Sequence, residues 1–143
     1  TQEVDMKWGK SLIRQIKGEI VDGTLVTEPI SDLIIPWQNL GVPTYQKIRD
    51  MRMQLKLTPI EAEGLIAGYA DVETWYKFLI RNDSTHHLSN GYISGISLYK
   101  QLRRSADAYP NPSTGENTAI STSLDAKFIQ VHIIEPENVD IKD

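Results

Sequence analysis

The chain has 143 residues, of which 40% are hydrophobic and 24% are charged, and its formal net charge is −4 at pH 7. This length suffices for one domain with a hydrophobic core, and the composition is too apolar for a disordered chain. Cysteine is absent, which excludes disulfides, thiolate nucleophiles and zinc sites with cysteine ligands. The longest apolar runs are far shorter than the roughly 20 residues of a transmembrane helix, so we expect a soluble protein with no transmembrane segment.

The N-terminal part predicts a helix followed by a hairpin. Apolar residues recur every three or four positions from Val4 to Ile20, a spacing typical of an amphipathic helix. Asp22-Gly23 between β-branched residues predicts a two-residue turn of type I′. Residues 30–43 follow as an extended segment that Pro36 should break. It is either an edge strand or an irregular segment, because Pro36 has no N–H to donate to a ladder.

Two further helices are expected before residue 68. The first is indicated by apolar residues at helical spacing, namely Tyr45, Ile48, Met51 and Leu55. The second is indicated by Thr58-Pro59-Ile60-Glu61, which has the pattern of a capping box with proline at the first helical position. This helix should end near Ala67.

Two more helices are expected before the last proline-rich stretch. Asp71 is a candidate N-cap for the helix "VETWYKFLIR", and Ser94 or Ser97 is a candidate N-cap for "ISLYKQLRRSADA". Pro110 and Pro112 prevent the last helix from continuing.

The C-terminal part is strand-like. "YPNPSTGEN" predicts a surface loop, and "TAISTS" and "KFIQVHIIE" predict two short strands, followed by an acidic, frayed tail at residues 135–143. The predicted fold is therefore a single α-rich α+β domain over residues 1–143. It has about five helices, an early β-hairpin and a short C-terminal strand pair. Its core is expected to be built from the first helix and from the helix that contains "TWYKFLI", which we call the aromatic helix.

The aromatic segment "TWYKFLI", Thr74 to Ile80, places apolar residues around almost the whole circumference of its helix. Such a helix is either the central core helix or partly covered by another chain. Aromatic residues are enriched where proteins meet. The candidate interaction residues are Trp75, Tyr76, Phe78 and Trp37.

Charge is distributed unevenly along the chain. Residues 77–104 are basic and lie between two acidic segments, which indicates either neutralisation within the fold or a patch that faces phosphates. The candidate nucleic-acid-binding residues are Lys77, Arg81, Lys100, Arg103 and Arg104.

Catalytic and metal-binding patterns are missing from the sequence. It has no G-x-S-x-G elbow and no glycine-rich phosphate loop with a lysine. His86 and His87 lie in a predicted loop with only Asp83 nearby as a further ligand. No metal and no cofactor are predicted.

Two short motifs resemble known families. "YPNPSTGE", Tyr109 to Glu116, resembles the start of the C-terminal sorting domain of proteins exported by the type IX system. "STS", Ser121 to Ser123, is similar to the Ser-Thr-Ser motif of ADP-ribosyltransferase toxins, which lies downstream of an arginine and upstream of a Glu-x-Glu or Gln-x-Glu. That resemblance implies an NAD-binding enzyme in which Arg81 is the arginine and 135–137 the acidic motif.

The leading hypothesis is a non-enzymatic structural or protein–protein interaction protein, such as a component of a viral or phage assembly. It would self-associate or dock to a partner protein. The first alternative is a nucleic-acid-associated protein that uses the basic patch in residues 77–104. The further alternative is an enzyme similar to the ADP-ribosyltransferases.

Overall fold

The computed structural model of the chain describes residues 2–3, 15–39, 42–81 and 94–134, and within them the side chains of 15–36, 44–80 and 94–132. Most of the described residues form β-strands. The strands are β1 (Gln2–Glu3), β2 (Gly18–Val21), β3 (Thr24–Thr27), β4 (Ile30–Asn39), β5 (Val42–Leu57), β6 (Glu61–Asp71), β7 (Ala108–Pro110), β8 (Asn117–Ile129) and β9 (Ile133–Ile134). The helices are α1 (Val72–Arg81) and α2 (Gly95–Ser105).

The strands form one large sheet and one small one. The seven-stranded sheet has the order β2-β3-β5-β6-β8-β7, and β4 pairs with β5 beside this path. Neighbouring strands are antiparallel at β2–β3, β3–β5 and β7–β8, whereas β1 and β9 form a parallel pair. The predicted α-rich fold with about five helices is therefore wrong, since the described residues form a mostly β structure with two helices.

The chain divides into two compact units. Unit 1 contains Thr1–Ile30, Arg52–Ile66 and Leu124–Asp143, and unit 2 contains Ser31–Met51 and Ala67–Ser123. Among the described residues, the buried hydrophobic ones of unit 1 are Ile30 and Leu55. In unit 2 they are Ile48, Met51, Ala70, Val72 and Ala119.

The predicted core is wrong in the part assigned to the aromatic helix, whereas the first predicted helix lies mostly outside the described residues. The buried residues lie mainly on strands, and among the described residues of the aromatic helix only Val72 at its start is fully buried. The prediction of one domain over residues 1–143 stays a prediction, and the tail at 135–143 lies outside the described residues.

Strand β5 occupies the segment that was predicted as the first internal helix. Its buried residues recur at helical spacing because the strand has a bulge at Asp50. This residue has a positive φ of 47° within the strand. The buried positions before it are Thr44 and Ile48, whereas those after it are Met51 and Leu55. An extra residue in a strand shifts the inward-facing positions by one. The buried residues therefore recur at intervals of four, three and four, which a sequence cannot distinguish from a helix.

Strand β6 replaces the second predicted internal helix because its inward face consists mostly of small residues. Ala62, Gly64 and Gly68 are more buried than Glu63 and Leu65 on the opposite face. Alternation between apolar and polar side chains is the usual signal of a half-buried strand. Here alanine and glycine take the inward positions and a leucine takes an outward one, so that signal is missing.

The expected capping box at Thr58–Glu61 is instead the turn between β5 and β6. The Thr58 hydroxyl accepts a hydrogen bond from the Glu61 N–H (3.0 Å), and the Thr58 N–H donates to the Glu61 carbonyl (2.8 Å). Pro59 occupies the first central position of this turn, where proline is common because its fixed φ suits that position. The hydroxyl contact of a helix cap therefore occurs here within a hairpin.

Other local predictions are confirmed. Asp22 and Gly23 have φ values of 48° and 75°, as a type I′ turn requires, and connect the paired residues Val21 and Thr24. Helix α2 is capped by Ser94, whose hydroxyl accepts from the Ser97 N–H (3.1 Å). It ends at Ser105, three residues before the expected end.

Three further predictions concern the N-terminal helix, the segment around Pro36 and the C-terminal strand pair. The predicted N-terminal helix falls mostly on residues outside the described ones, and its last part is wrong because Ile20 lies in β2. Pro36 lies inside β4 and does not break it, but the expected edge strand is confirmed, since among the described strands β4 pairs with β5 alone. "TAISTS" and the start of "KFIQVHIIE" belong to one strand, β8, which pairs with β7 across the turn at residues 111–116.

Candidate functional site

The aromatic helix α1 packs against α2 within unit 2. The rings of Tyr76 and Tyr99 meet edge to face, with centroids 5.1 Å apart. Trp75, Tyr76 and Phe78 are half-buried, and Ile80 is exposed. The helix is therefore not the fully buried centre of a core. The backbone of Trp37 lies in β4, and its side chain is outside the described ones.

The predicted basic residues lie on both helices. Lys77 on α1 and Lys100 and Arg104 on α2 are exposed. Arg103 forms a salt bridge of 2.6 Å with Glu116. The side chain of Arg81 is outside the described ones. The two helices thus bring some of the predicted cations onto one helical pair, but the charge of Arg103 is already neutralised.

A cluster of polar and aromatic side chains in unit 2 was not predicted. We call it the Arg49–Tyr109 cluster, and its members are Arg49, Asp50, Tyr69, Asp71, Tyr109 and Thr118. They come from β5, β6, β7 and β8, which are neighbours in the sheet order.

Asp71 connects this cluster to helix α1. One of its oxygens, Oδ1, accepts a hydrogen bond from the N–H of Thr74 (2.9 Å) and so caps the helix as expected from the sequence. The other, Oδ2, forms an ion pair with the guanidinium of Arg49. Arg49 also donates to the hydroxyl of Thr118 (3.3 Å), while its Nε is buried with no partner. The start of α1 is thereby held against the sheet.

Tyr109 connects the edge strand β7 to the same cluster. Its hydroxyl donates a hydrogen bond to the carboxylate of Asp50. Its ring lies beneath the guanidinium of Arg49, 4.9 Å from the centroid, and meets the ring of Tyr69 edge to face at 5.3 Å. Both contacts are favourable because the face of an aromatic ring is electron-rich.

The electrostatics of the cluster favour a structural role. The hydrogen bond to Asp50, together with burial, raises the pKa of Tyr109 from 10.0 to about 12. The phenol therefore stays neutral at physiological pH and is a poor base or nucleophile. The Asp50 carboxylate accepts from Tyr109, and the Asp71 carboxylate accepts from Arg49 and from the N–H of Thr74 on helix α1. Sequence reasoning missed the site because it assigned residues 43–55 to a helix.

The Ser-Thr-Ser motif lies on β8 and is engaged locally. Ser121 donates from its N–H to Asp107 (2.8 Å) and also from its hydroxyl. These two bonds lower the pKa of Asp107 below its usual value of 3.8. The Arg81 side chain and residues 135–137 are outside the described ones. The implied partners of the motif are therefore not among the described side chains, and the enzymatic alternative stays a prediction.

Unit 1 carries a different kind of surface. Its described residues expose more large apolar side chains than they bury. The exposed ones are Ile16, Ile20, Val21, Val26, Ile60, Leu65, Leu124, Phe128, Ile129 and Val131. We call this set the unit 1 apolar surface.

A mixed-charge groove also lies on unit 1. Its lining includes Lys56, Glu63 and Asp125, and beside them Lys127 forms a salt bridge of 2.8 Å with Glu61. That bond raises the pKa of the Lys127 ammonium. Because charges of both signs alternate here, the groove does not favour a ligand of one charge.

Within the described ranges, no group of three His, Asp or Glu side chains is arranged to hold a metal ion. His86 and His87 lie outside those ranges. No helix in the described part of the chain is long and apolar enough to cross a membrane. No family model matches the chain, and no curated protein and no solved structure gives a significant match.

Proposed function

We propose that this protein is a non-enzymatic interaction or assembly protein, which acts by self-association or by docking to a partner protein. The observation that carries the proposal is the unit 1 apolar surface. Single exposed apolar residues are ordinary on a protein, whereas many on one small unit are typical of a surface that another molecule covers.

In the described part of unit 1, the exposed apolar side chains outnumber the buried ones. Ile20 and Ile129 are 64% and 70% exposed, whereas the buried hydrophobic residues among the described part of unit 1 are Ile30 and Leu55. Burial of apolar area stabilises by roughly 25 cal/mol per Å². A partner that covers this surface would therefore add to the stability of unit 1 as well as bind it.

The strongest unpredicted cluster supports the same type of function. The Arg49–Tyr109 cluster uses its charged and polar groups on one another, which suits a structural element better than a catalytic one. Nucleic-acid binding is less well supported, because Arg103 is paired with Glu116 and leaves Lys77, Lys100 and Arg104 as exposed cations on the described helices.

Sedimentation velocity over a wide concentration range, together with binding of an anilinonaphthalene dye, tests the proposal. We expect concentration-dependent association, weakened by the double substitution Leu124→Ser/Ile129→Ser in unit 1. The matched control is Ile96→Ser, which changes an equally exposed residue of α2 in unit 2. A chain that stays monomeric at high micromolar concentration and binds no dye contradicts the proposal.

A further inference from the structure

Strand β2 lies at one end of the strand order, and no other described strand pairs with its outer edge, which we call its open edge. Among the described strands it pairs with β3 alone. The strand at the other end, β7, has three residues, ends in Pro110 and contains Tyr109 with a φ of 58°. Proline and irregular backbone prevent an edge strand from pairing with another chain. Strand β2 carries neither feature.

The hydrogen-bonding direction of each β2 residue follows from its pairing with β3. The ladder pairs Gly18 with Thr27 and Val21 with Thr24, and the Glu28 N–H extends it by donating to the Lys17 carbonyl (2.9 Å). In an antiparallel ladder, alternate residues direct both backbone groups to the same side. Residues 17, 19 and 21 therefore face β3, whereas Gly18 and Ile20 direct their N–H and C=O groups to the open edge. Ile16 precedes the strand, and the same alternation carried one step further would direct its groups to the open edge.

The segment "IKGEI", Ile16 to Ile20, is complementary to itself about Gly18. When two copies are paired antiparallel with the two Gly18 residues opposite each other, Lys17 of each copy lies opposite Glu19 of the other. Ile16 of each copy then lies opposite Ile20 of the other. Opposite charges and paired apolar residues are both favourable across neighbouring strands.

This register is also the best of the neighbouring ones that the backbone permits. In every permitted register, residues that direct their backbone groups to the open edge lie opposite residues of the same kind. The neighbouring registers that keep this rule place Glu19 or Ile20 at the centre instead of Gly18. A centre at Glu19 would place two carboxylates opposite each other, which is unfavourable. A centre at Ile20 would place Glu19 opposite Val21 and leave Lys17 without an acidic partner.

The side chains that would form these contacts are accessible. Ile16 and Ile20 are 41% and 64% exposed. Lys17 and Glu19 are exposed as well, and neither forms an ion pair with another described residue. The segment therefore presents two opposite charges and two apolar side chains that its own unit does not use.

We propose that two copies of this chain associate by antiparallel pairing of their β2 strands about Gly18, so that Lys17 and Glu19 form reciprocal ion pairs. This inference rests on the proposed function and names a second copy as the partner. The pairing joins two sheets into one continuous sheet across the two-fold axis and covers both open edges.

Charge reversal at the two polar positions provides the test. Lys17→Glu places two acidic groups opposite each other at both ends of the pairing, and Glu19→Lys places two basic groups there. We expect each single variant to raise the dimer dissociation constant about tenfold or more in sedimentation equilibrium. The double variant Lys17→Glu/Glu19→Lys restores complementary charges and should regain most of the wild-type affinity.

An equimolar mixture of the two single variants gives a second, independent readout. In the mixed dimer, the two glutamates of the Lys17→Glu chain lie opposite the two lysines of the Glu19→Lys chain. We therefore expect heterodimers in the mixture, whereas each variant alone is largely monomeric. Because Lys17 and Glu19 are exposed, thermal unfolding of all variants should match wild type at concentrations below the dimer dissociation constant, which separates loss of pairing from loss of folding.

The outcomes separate this inference from the proposed function. A wild-type chain that is monomeric overturns the pairing. So does a wild-type dimer that neither single variant weakens. If that dimer is instead weakened by Leu124→Ser/Ile129→Ser, the pairing falls and the proposed function stands. If the wild type is monomeric and binds no dye, both fall.

Discussion

The hydroxyl of Tyr109 donates a hydrogen bond to the carboxylate of Asp50, and both residues have a positive φ, 58° and 47° respectively. Neither residue is glycine, so each backbone is held in a conformation that L-residues rarely adopt. Residues in such conformations persist when the surrounding contacts compensate for their cost. The bond between them therefore ties together two irregular points, one in β5 and one in β7.

Removal of the Tyr109 hydroxyl tests how much this bond stabilises unit 2. We expect Tyr109→Phe to lower the free energy of unfolding by about 1–3 kcal/mol, since the Asp50 carboxylate loses its donor while the ring contacts remain. Urea unfolding measures the change. Tyr45→Phe is the matched control because Tyr45 is 43% exposed. Equal losses from the two substitutions would contradict the structural role of the bond.

The same tyrosine predicts a dependence of stability on alkaline pH. Its pKa is raised to about 12 in the folded chain by the hydrogen bond to Asp50 and by burial, against 10.0 in the unfolded chain. Between these values the unfolded state loses its proton while the folded state keeps it, so stability falls as pH rises. The contribution is fully present below pH 10 and is lost as pH approaches 12.

Unfolding measured from neutral pH to the alkaline limit of the protein checks this slope. Tyr109→Phe should make the slope shallower, because the substituted residue no longer titrates. Ultraviolet absorbance of the phenolate gives a direct readout, in which Tyr109→Phe removes a late-ionising tyrosine; the pKa of Tyr99 is also raised, by its hydrogen bond to Glu73, and its ionisation stays in the variant. An unchanged slope in the variant would rule out Tyr109 as its source.

Substitutions at Asp50 separate backbone conformation from charge. Asparagine adopts positive φ readily and keeps an acceptor for Tyr109, so Asp50→Asn should change the unfolding free energy little. Valine is β-branched and cannot adopt that conformation without strain, so Asp50→Val should cost about 2 kcal/mol or more. The difference in denaturant midpoint between the two variants is the measurement. Similar midpoints would show that the bulge does not require a left-handed residue.

Gly64 permits close approach between β6 and β5. It has a φ of 156°, and a Cβ at this position would lie 2.0 Å from the carbonyl oxygen of Gln54. We expect Gly64→Ala to destabilise the protein by about 3 kcal/mol, since backbone must move to remove the clash.

Gly115 is the control for that substitution. Its φ is also positive, 72°, but a Cβ there would meet nothing within 4 Å. Gly115→Ala should therefore show only the backbone cost, about 1 kcal/mol. Thermal unfolding of the two variants separates the cost of conformation from that of the clash, and equal shifts would mean that the clash at Gly64 is relieved without strain.

Local chemistry explains which predictions from the sequence were confirmed. Asp22-Gly23 makes a type I′ turn because both residues tolerate positive φ, wherever the hairpin lies. Asp71 and Ser94 cap helices because their oxygens reach the N–H groups two or three residues ahead. These interactions depend on neighbours in sequence, so the letters alone suffice.

The predicted helices at residues 43–55 and 59–67 were wrong because the deciding contacts are distant in sequence. Ile48 and Met51 are both buried because the bulge at Asp50 shifts the strand by one residue, and that shift imitates a helical period. The small inward residues of β6 fit because β5 lies directly against them. The spacing of apolar residues in 43–67 reveals neither the bulge nor the packing of β6 against β5.

The sequence by itself therefore determined the turn at Asp22-Gly23, the helix caps at Asp71 and Ser94, and the self-complementary charges of Lys17 and Glu19. The tertiary structure alone decided that β5 and β6 are strands, and that β2 has an open edge where those charges are displayed. It also decided that Arg49, Asp71 and Tyr109 meet. The physical reason is that turns and caps are satisfied by backbone groups a few residues away. Strand pairing and side-chain clusters depend instead on segments that the chain brings together only when it folds.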